Sequence, residues 1–395
     1  MLADVSTQLY GDYLNSIFKK ISFSQCYVDD DLPLARGGMF TVNGKAVETP
    51  ILWLGHLPSI QPHLWKHFDV RTIMVSAYEI IRNKNVYKAI CDSGVHEYLG
   101  FDGIVIMDSG GFSFQKKKEL NIDPRDILEL YELSRPDLGV VLDHPLNPAE
   151  SDERNRERWL KTIRNSDLML KNGKIPLMPV VHGYSFKDLK KSCDDIKKIH
   201  ENPPVIGLGS IVPLIFKCKG SKKFRDSVNF AIDSIRLVRE EFPDSLLHVF
   251  GVGSTHTMHL MYSLGVDSLD SMGWRLKAAY GVIQLPGVGD RYLVEKNNGR
   301  PSLRADDRKL LDICGCPICR TKTMKEKIET LDSDFKSRAI HNAWVFLKEN
   351  ELYRENLMKD NALNFCNERL NTGPFSKHFK QLIEESIHQK LFDGV

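Results

Sequence analysis

Short apolar runs recur along this chain, and the stretches between them mostly hold a single helix-period pattern each. The runs are Thr72 to Val75, Ile104 to Met107, Gly139 to Leu142, Pro176 to Val181, Val205 to Leu208, Leu247 to Phe250 and Val266 to Leu269. Pro124 to Ser134 and Phe224 to Glu241 are examples of the intervening helical patterns. Strand and helix in alternation make a parallel sheet, because parallel neighbours need a crossover between them. Seven such runs, with an eighth expected near Arg291 to Val294, suit a (β/α)8 TIM-like barrel. An open doubly wound sheet is the alternative, but the chain lacks a Gly-x-Gly-x-x-Gly turn after its first strand. Ahead of these runs, Asn43-Gly44 predicts a hairpin turn leading into a strand, Ile51 to Leu54, expected to lid one end of the barrel. Polar residues and glycines cluster after the strands, where a barrel carries its active site.

Two of those strand ends carry aspartates. Ile104 to Met107 delivers Asp108 into a Gly-Gly turn, and Val266 and Leu269 flank short polar residues so that Asp267 and Asp270 sit where a buried strand would be ending. One such Asp alone is commonly the cap of the next helix. Two suggest paired-carboxylate chemistry.

With 395 residues and 42% hydrophobic content, the chain can bury one large core and a smaller satellite. It opens without a charged leader ahead of an apolar core, and no apolar run approaches membrane-spanning length, so a soluble, cytoplasmic protein is expected. A net charge of +2 gives no overall basic field, so nucleic-acid binding would need a local face. Lys116 to Lys118, the group Lys187, Lys190 and Lys191, and Lys217 to Lys223 are candidates. Of eight cysteines, Cys26, Cys91, Cys193, Cys218 and Cys366 are scattered and expected to be reduced. The other three, Cys314, Cys316 and Cys319, have C-x-C-x2-C spacing, which sets three thiolates around one metal.

The chain resembles the tRNA-guanine transglycosylases from about Gly38 to Asn342, most closely the archaeosine-type branch. The resemblance is carried by GKAVETPILW (44–53), GVHEYLGFDGIVIMDSGGF (94–112), GVVLDHPLNP (139–148), PVVHG (179–183), GLGSIVPL (207–214), HVFGVGS (248–254) and GVDSLDS (265–271). It implies Asp270 as the nucleophile that captures the sugar and Asp108 as the acid and base for the leaving and incoming bases. It implies base recognition by Asp143, by Ser109 and Gly110, and by a loop flanked by Gly207 and Gly209. His182 stands where much of the family has glutamine, so its substrate contact is expected to differ, with a core histidine as the alternative. Phe112 and Trp274 flank the site, with core packing the expected fate of each. The resemblance also supplies His341 as the fourth ligand of a structural Zn2+, and a closed Cys3His set leaves no open position for a zinc hydrolase.

Two departures bear on the substrate. In DSGGFSFQ, Ser113 and Phe114 displace the glutamine that the family has directly after Phe, to Gln115. The chain also stops after two helical stretches, where archaeosine-type enzymes continue into RNA-binding domains. Together with His182 and the archaeal-like blocks, these resemble the DNA guanine transglycosylase subfamily, which implies replacement of guanine in DNA by a 7-deazaguanine base, expected to be 7-cyano-7-deazaguanine, with an ATPase-like partner. A tRNA substrate of queuosine or archaeosine type and a non-catalytic nucleic-acid-binding paralogue are the alternatives, and a homodimer is an open expectation. The expected divisions are an N-terminal extension (1–36), the barrel (37–300), a Cys3His subdomain (301–350) and C-terminal helices (351–395).

Overall fold

The structure is a computed structural model that describes residues 20–113, 122–216, 222–294 and 301–393. Three strands, β1 (Ile21–Val28), β2 (Arg36–Val42) and β3 (Lys45–Thr49), form an antiparallel meander. Its β2–β3 turn is Asn43-Gly44, with φ of 49° and 78°, as the Asn-Gly pair predicts. The next strand, β4 (Ile51–Gly55), leaves this meander and enters a parallel sheet with β5 (Thr72–Ser76), β6 (Ile104–Asp108), β7 (Leu138–Val140), β8 (Leu177–Met178), β9 (Val180–Val181), β10 (Val205–Leu208), β11 (Leu246–Val249) and β12 (Ser268–Ser271).

The strand order β8-β7-β6-β5-β4-β12-β11-β10-β9 is chain order wrapped into a circle. The last strand pairs with the first, Ser268 opposite Ile51 and Ser271 opposite Leu54. The circle is cut only at Pro179, which has no N–H to give to a ladder. The two short strands beside it face opposite neighbours, β8 pairing with β7 and β9 with β10. Pro179 still serves the wall, since its carbonyl accepts the Gly207 N–H at 2.9 Å. Counted that way, Pro176 to Val181 is one wall strand, and nine assigned strands occupy eight positions of a nearly closed barrel.

The eighth strand is therefore Ile51–Gly55 and not Arg291 to Val294. All five of its residues are buried, as a wall strand between two neighbours requires. Arg291 instead belongs to β14 (Val288–Tyr292), the half-exposed partner of β13 (Val282–Leu285) in a separate antiparallel hairpin.

The meander closes the end of the barrel where strands begin. Arg36 donates to the carbonyls of Pro243 and Ser245, just before β11, and Lys45 donates to Gly103 O and Asp137 Oδ2, just before β6 and β7. Asp267, one residue before β12, is fully buried there and accepts from Arg36 Nε at 2.8 Å, Arg239 Nη2 at 2.6 Å and the Leu247 N–H at 2.8 Å. Asp267 and Asp270 thus lie at opposite ends of one four-residue strand. Paired with two guanidiniums, Asp267 belongs to the lid, and it is not a second candidate for the chemistry.

After the barrel, the 23-residue helix Phe335–Leu357 packs on β13 and on the helix Gly273–Ala279. Asn342 ties them together, accepting from Gln284 N at 2.8 Å and donating to the carbonyls of Val282 and Trp274. A second, smaller core gathers Ile283, Leu285, Leu293, Leu311 and Leu331 around the three cysteines. Among the described residues, no helix is long and apolar enough to cross a membrane.

Candidate active site

At the other end of the barrel, where the strands finish, three carboxylates converge. Asp108 is the last residue of β6, and the chain then turns through Gly110 at φ 81°, which brings its N–H to Asp108 Oδ2 at 3.0 Å. A Cβ on Gly110 would lie 2.4 Å from Tyr78 Cβ, and one on Gly111 only 2.1 Å from the Asp143 carbonyl oxygen. These two glycines let the β6 loop press against Asp143, three residues beyond β7, so Asp108 and Asp143 share the mouth. Burial pushes the Asp108 carboxyl up to about 7, helped by the charges of Asp143 and then Asp270, with the N–H groups of Gly110 and Ser109 opposing. A carboxyl so placed exchanges its proton near neutral pH, as a general acid and base must. The buried Ser109 hydroxyl beside it makes no hydrogen bond among the described residues.

Asp143 is 8% exposed, and His182 stands against it, Nε2 being 3.1 Å from Oδ2, although not in hydrogen-bonding orientation. The other ring nitrogen, Nδ1, meets Ser210 Oγ at 3.0 Å, and Ser210 also accepts the Leu146 N–H. The His182 ring is held from above by Gly209, where a Cβ would fall 2.2 Å from Cε1. His182 therefore backs Asp143 from inside the wall.

Gly207 lies within β10 and Gly209 directly after it, and their N–H groups donate to the carbonyls of Pro179 and Val181 as part of the barrel ladder. Gly207 makes room for Phe250, whose ring would lie 2.6 Å from an added Cβ. The approach of these glycines is thus to side chains inside the wall.

Asp270, in β12, turns its Oδ1 to the Gly251 N–H at 2.6 Å. His248 Nε2 is 3.4 Å from the same oxygen. Gly253 N–H donates to the Asp270 carbonyl at 3.0 Å, and a Cβ there would approach that oxygen to 2.6 Å, so the loop after β11 is laid directly along the end of β12.

The flanking aromatics separate. Trp274 is fully buried and donates to the Gly55 carbonyl at 3.1 Å, as expected of a core residue. Phe112, expected in the core, is 66% exposed after the Gly-Gly turn. Phe114, Gln115, Lys116 to Lys118, Cys218 and the side chains of Lys217 to Lys223 lie outside the described residues. Lys190 and Lys191 are matched by Asp194, Asp195 and Glu241, so they are not a free basic face.

Cys314, Cys316, Cys319 and His341 come together as one cluster whose ligand atoms all lie within 4.8 Å of one another. His341 Nδ1 is 3.6, 3.4 and 3.6 Å from the three sulfurs in turn. A tetrahedral ion with metal–sulfur and metal–nitrogen bonds of ordinary zinc length would separate S and N by about 3.6 Å. The ring is also set for ligation, because Nε2 lies 2.9 Å from the Gln284 carbonyl and must carry the proton to bond it. That leaves the Nδ1 lone pair facing the sulfurs. The residues present fit a metal ion with a closed ligand set.

Ser210, Gly251 and His248 are not marked by the sequence pattern. Gly251 and His248 lie in the HVFGVGS block, but the strand-end pattern there offers no carboxylate to draw attention. Ser210, at φ 65°, follows Gly209 in a βα turn that reads as ordinary.

Residues 31–374 match the family model described as Queuine tRNA-ribosyltransferase. The tRNA-guanine(15) transglycosylase of Pyrococcus furiosus is 27% identical over 355 residues, covering 88% of this chain and 57% of that protein. The protein of the same description from Methanococcus aeolicus is 26% identical over 384 residues, covering 92% and 54%, and that from Methanocaldococcus jannaschii is 27% identical over 361 residues, covering 86% and 51%. The chain thus spans a little over half the length of these curated relatives.

Proposed function

Since this chain belongs to the queuine tRNA-ribosyltransferase family, we propose that its barrel is a guanine transglycosylase, a pentosyltransferase that exchanges a guanine base in a nucleic acid through a covalent glycosyl-aspartate. Asp270 attacks the anomeric carbon with the carboxylate oxygen that Gly251 does not hold. The bond from that carbon to the base nitrogen breaks, its electron pair goes to the base, and Asp108 supplies the proton that lets guanine leave neutral. An incoming base returns a proton to Asp108 as its nitrogen displaces Asp270 from the sugar. Two displacements retain configuration, as in double-displacement glycosidases. The observation that carries this assignment is the convergence of Asp108, Asp143 and Asp270 at the mouth of the barrel in a chain of this family, where burial and the two neighbouring charges raise the Asp108 carboxyl. A carboxyl held near neutrality can both give and take a proton, as the shuttle role requires.

Asp143 is assigned to the polar edge of the guanine-like base, with Ser109 and Gly110 beside it and the His182 ring packed behind it. The Ser109 hydroxyl, which has no hydrogen-bond partner among the described residues, supports a ligand contact there. The Cys3His cluster is assigned a structural Zn2+, supported by its donor set and by nitrogen–sulfur separations of 3.4 to 3.6 Å.

For the polymer, guanine in DNA is proposed, with a 7-deazaguanine as the incoming base, expected to be 7-cyano-7-deazaguanine. Its support is the departure of DSGGFSFQ and His182 from the tRNA-enzyme pattern at the base pocket. The second reading, a tRNA substrate, is favoured by the names of the three relatives given above, each a tRNA-guanine(15) transglycosylase. Extruding a duplex base costs a few kcal/mol, so an ATP-using partner that opens DNA belongs to the first reading. Labelled-guanine exchange on matched DNA and RNA hairpins and on folded tRNA decides between them. Incorporation into unpaired guanine of DNA supports the first. Incorporation into tRNA with none into any DNA overturns it and leaves base exchange standing.

A further inference from the structure

We infer that His248 is a positioning residue for the glycosyl-transfer step, presenting its Nε2–H to Asp270 Oδ1 through a tautomer fixed by Ser268 and Trp53. This rests on the assignment of Asp270 as the nucleophile.

The four residues meet inside the barrel for reasons of register. Ser268 and Asp270 are two apart in β12 and so face the same way. Ser268 is opposite His248 on one neighbouring strand, and Asp270 is opposite Trp53 on the other. Trp53, His248 and Ser268 are all buried.

The donor inventory then orders the protons. Trp53 Nε1–H has only a hydrogen to give, and it donates to Ser268 Oγ at 2.6 Å. Ser268 Oγ also lies 2.8 Å from His248 Nδ1. With Trp53 supplying one donor to Oγ, the serine hydrogen is satisfied by pointing it at Nδ1, which then accepts. An imidazole that accepts at Nδ1 carries its proton on Nε2. That nitrogen is buried, has no hydrogen-bond partner among the described residues, and has Asp270 Oδ1 at 3.4 Å.

The separation is longer than a formed hydrogen bond, as is common at catalytic carboxylates before the reacting partner is bound. Oδ1 already receives the Gly251 N–H. When His248 closes on it, Oδ1 is held by two donors and Oδ2 is turned outward as the attacking oxygen. In the ester, Oδ1 is the carbonyl oxygen. When the incoming base displaces the aspartate, negative charge returns to a carboxylate that both donors stabilise. Loss of the Nε2–H leaves base binding intact and impairs only the step in which the Asp270–sugar bond forms or breaks.

The experiment compares wild type, His248→Phe, His248→Gln and Ser268→Ala in labelled-guanine exchange on one nucleic-acid hairpin, with the denaturation-resistant adduct scored in parallel. Glutamine places its amide N–H close to where Nε2 stood, whereas phenylalanine keeps the ring volume without a donor. The expected result is a kcat at least tenfold lower in His248→Phe with KM for guanine within twofold of wild type. His248→Gln should recover most of that loss, and Ser268→Ala should fall between, because Nδ1 is no longer bound to accept. Wild-type kcat in His248→Phe, or a folded His248→Gln no better than His248→Phe, would overturn the role of His248 while leaving Asp270 standing. If His248→Phe does not fold, an unchanged kcat in Ser268→Ala overturns it equally. Wild-type protein that gives neither exchange nor adduct removes the nucleophile itself, and this role with it.

Discussion

Asp108 carries the sharpest consequence at the scale of single residues. Its carboxyl is raised from an ordinary value of 3.8 to about 7. Between those values the folded state holds a proton that the unfolded chain has released, so stability falls as pH rises through this window, and the penalty is complete above about 7. Each unit corresponds to about 1.4 kcal/mol, so the cost above neutrality is a few kcal/mol at most. Asp108→Asn should therefore raise the melting temperature relative to wild type, most at pH 8 and least at pH 4, while base exchange is lost. A melting difference that does not grow with pH would contradict the protonation assigned to Asp108. Both aspartates were legible in the sequence because each ends an apolar run in a chain that alternates strand and helix. Their neighbours were less so. The run Val266 to Leu269 sets the strand two residues early, and at that offset Asp267 looks like a companion of Asp270. Only the three-dimensional register shows that one residue meets the lid arginines and the other the mouth.

Among elements, the Cys3His unit is the one whose chemistry spacing alone declares, since C-x-C-x2-C has few uses in a reduced chain. Its fourth ligand was not readable from spacing, because His341 comes from the long helix, after an intervening helix. Cys316→Ser and His341→Ala should each release the metal and lower the melting temperature well beyond the effect of a surface substitution, as metal affinity here is folding free energy. Elemental analysis alongside thermal unfolding checks this, and well-folded wild-type protein without bound metal would refute it. The barrel wall shows the opposite balance. Seven runs were plain as wall strands, and Ile51 to Leu54 was plain as a strand but read as part of the lid, because it follows a hairpin strand directly, separated only by Pro50.

For the molecule as a whole, the two ends of the barrel divide the work. The end where strands begin is sealed by the meander and by the buried Arg36–Asp267–Arg239 cluster, and the end where they finish holds Asp108, Asp143 and Asp270. Asp267→Ala strands two buried guanidiniums, so denaturant unfolding should show a loss of about 3 to 5 kcal/mol. The kcat per folded molecule should stay near that of wild type, because the Asp267 carboxylate meets Arg36, Arg239 and the Leu247 N–H at the end where strands begin, away from the three carboxylates of the mouth. Base exchange by way of an aspartyl ester is the claim on which the account depends, and one measurement reaches it directly. Wild-type protein and Asp270→Asn are incubated with a guanine-containing hairpin, denatured, and resolved for protein–nucleic acid adducts. The expected result is an adduct from the wild type, dispersed by added guanine, and none from a folded Asp270→Asn. An adduct of equal yield from Asp270→Asn, or exchange by that variant near the wild-type rate, would contradict it.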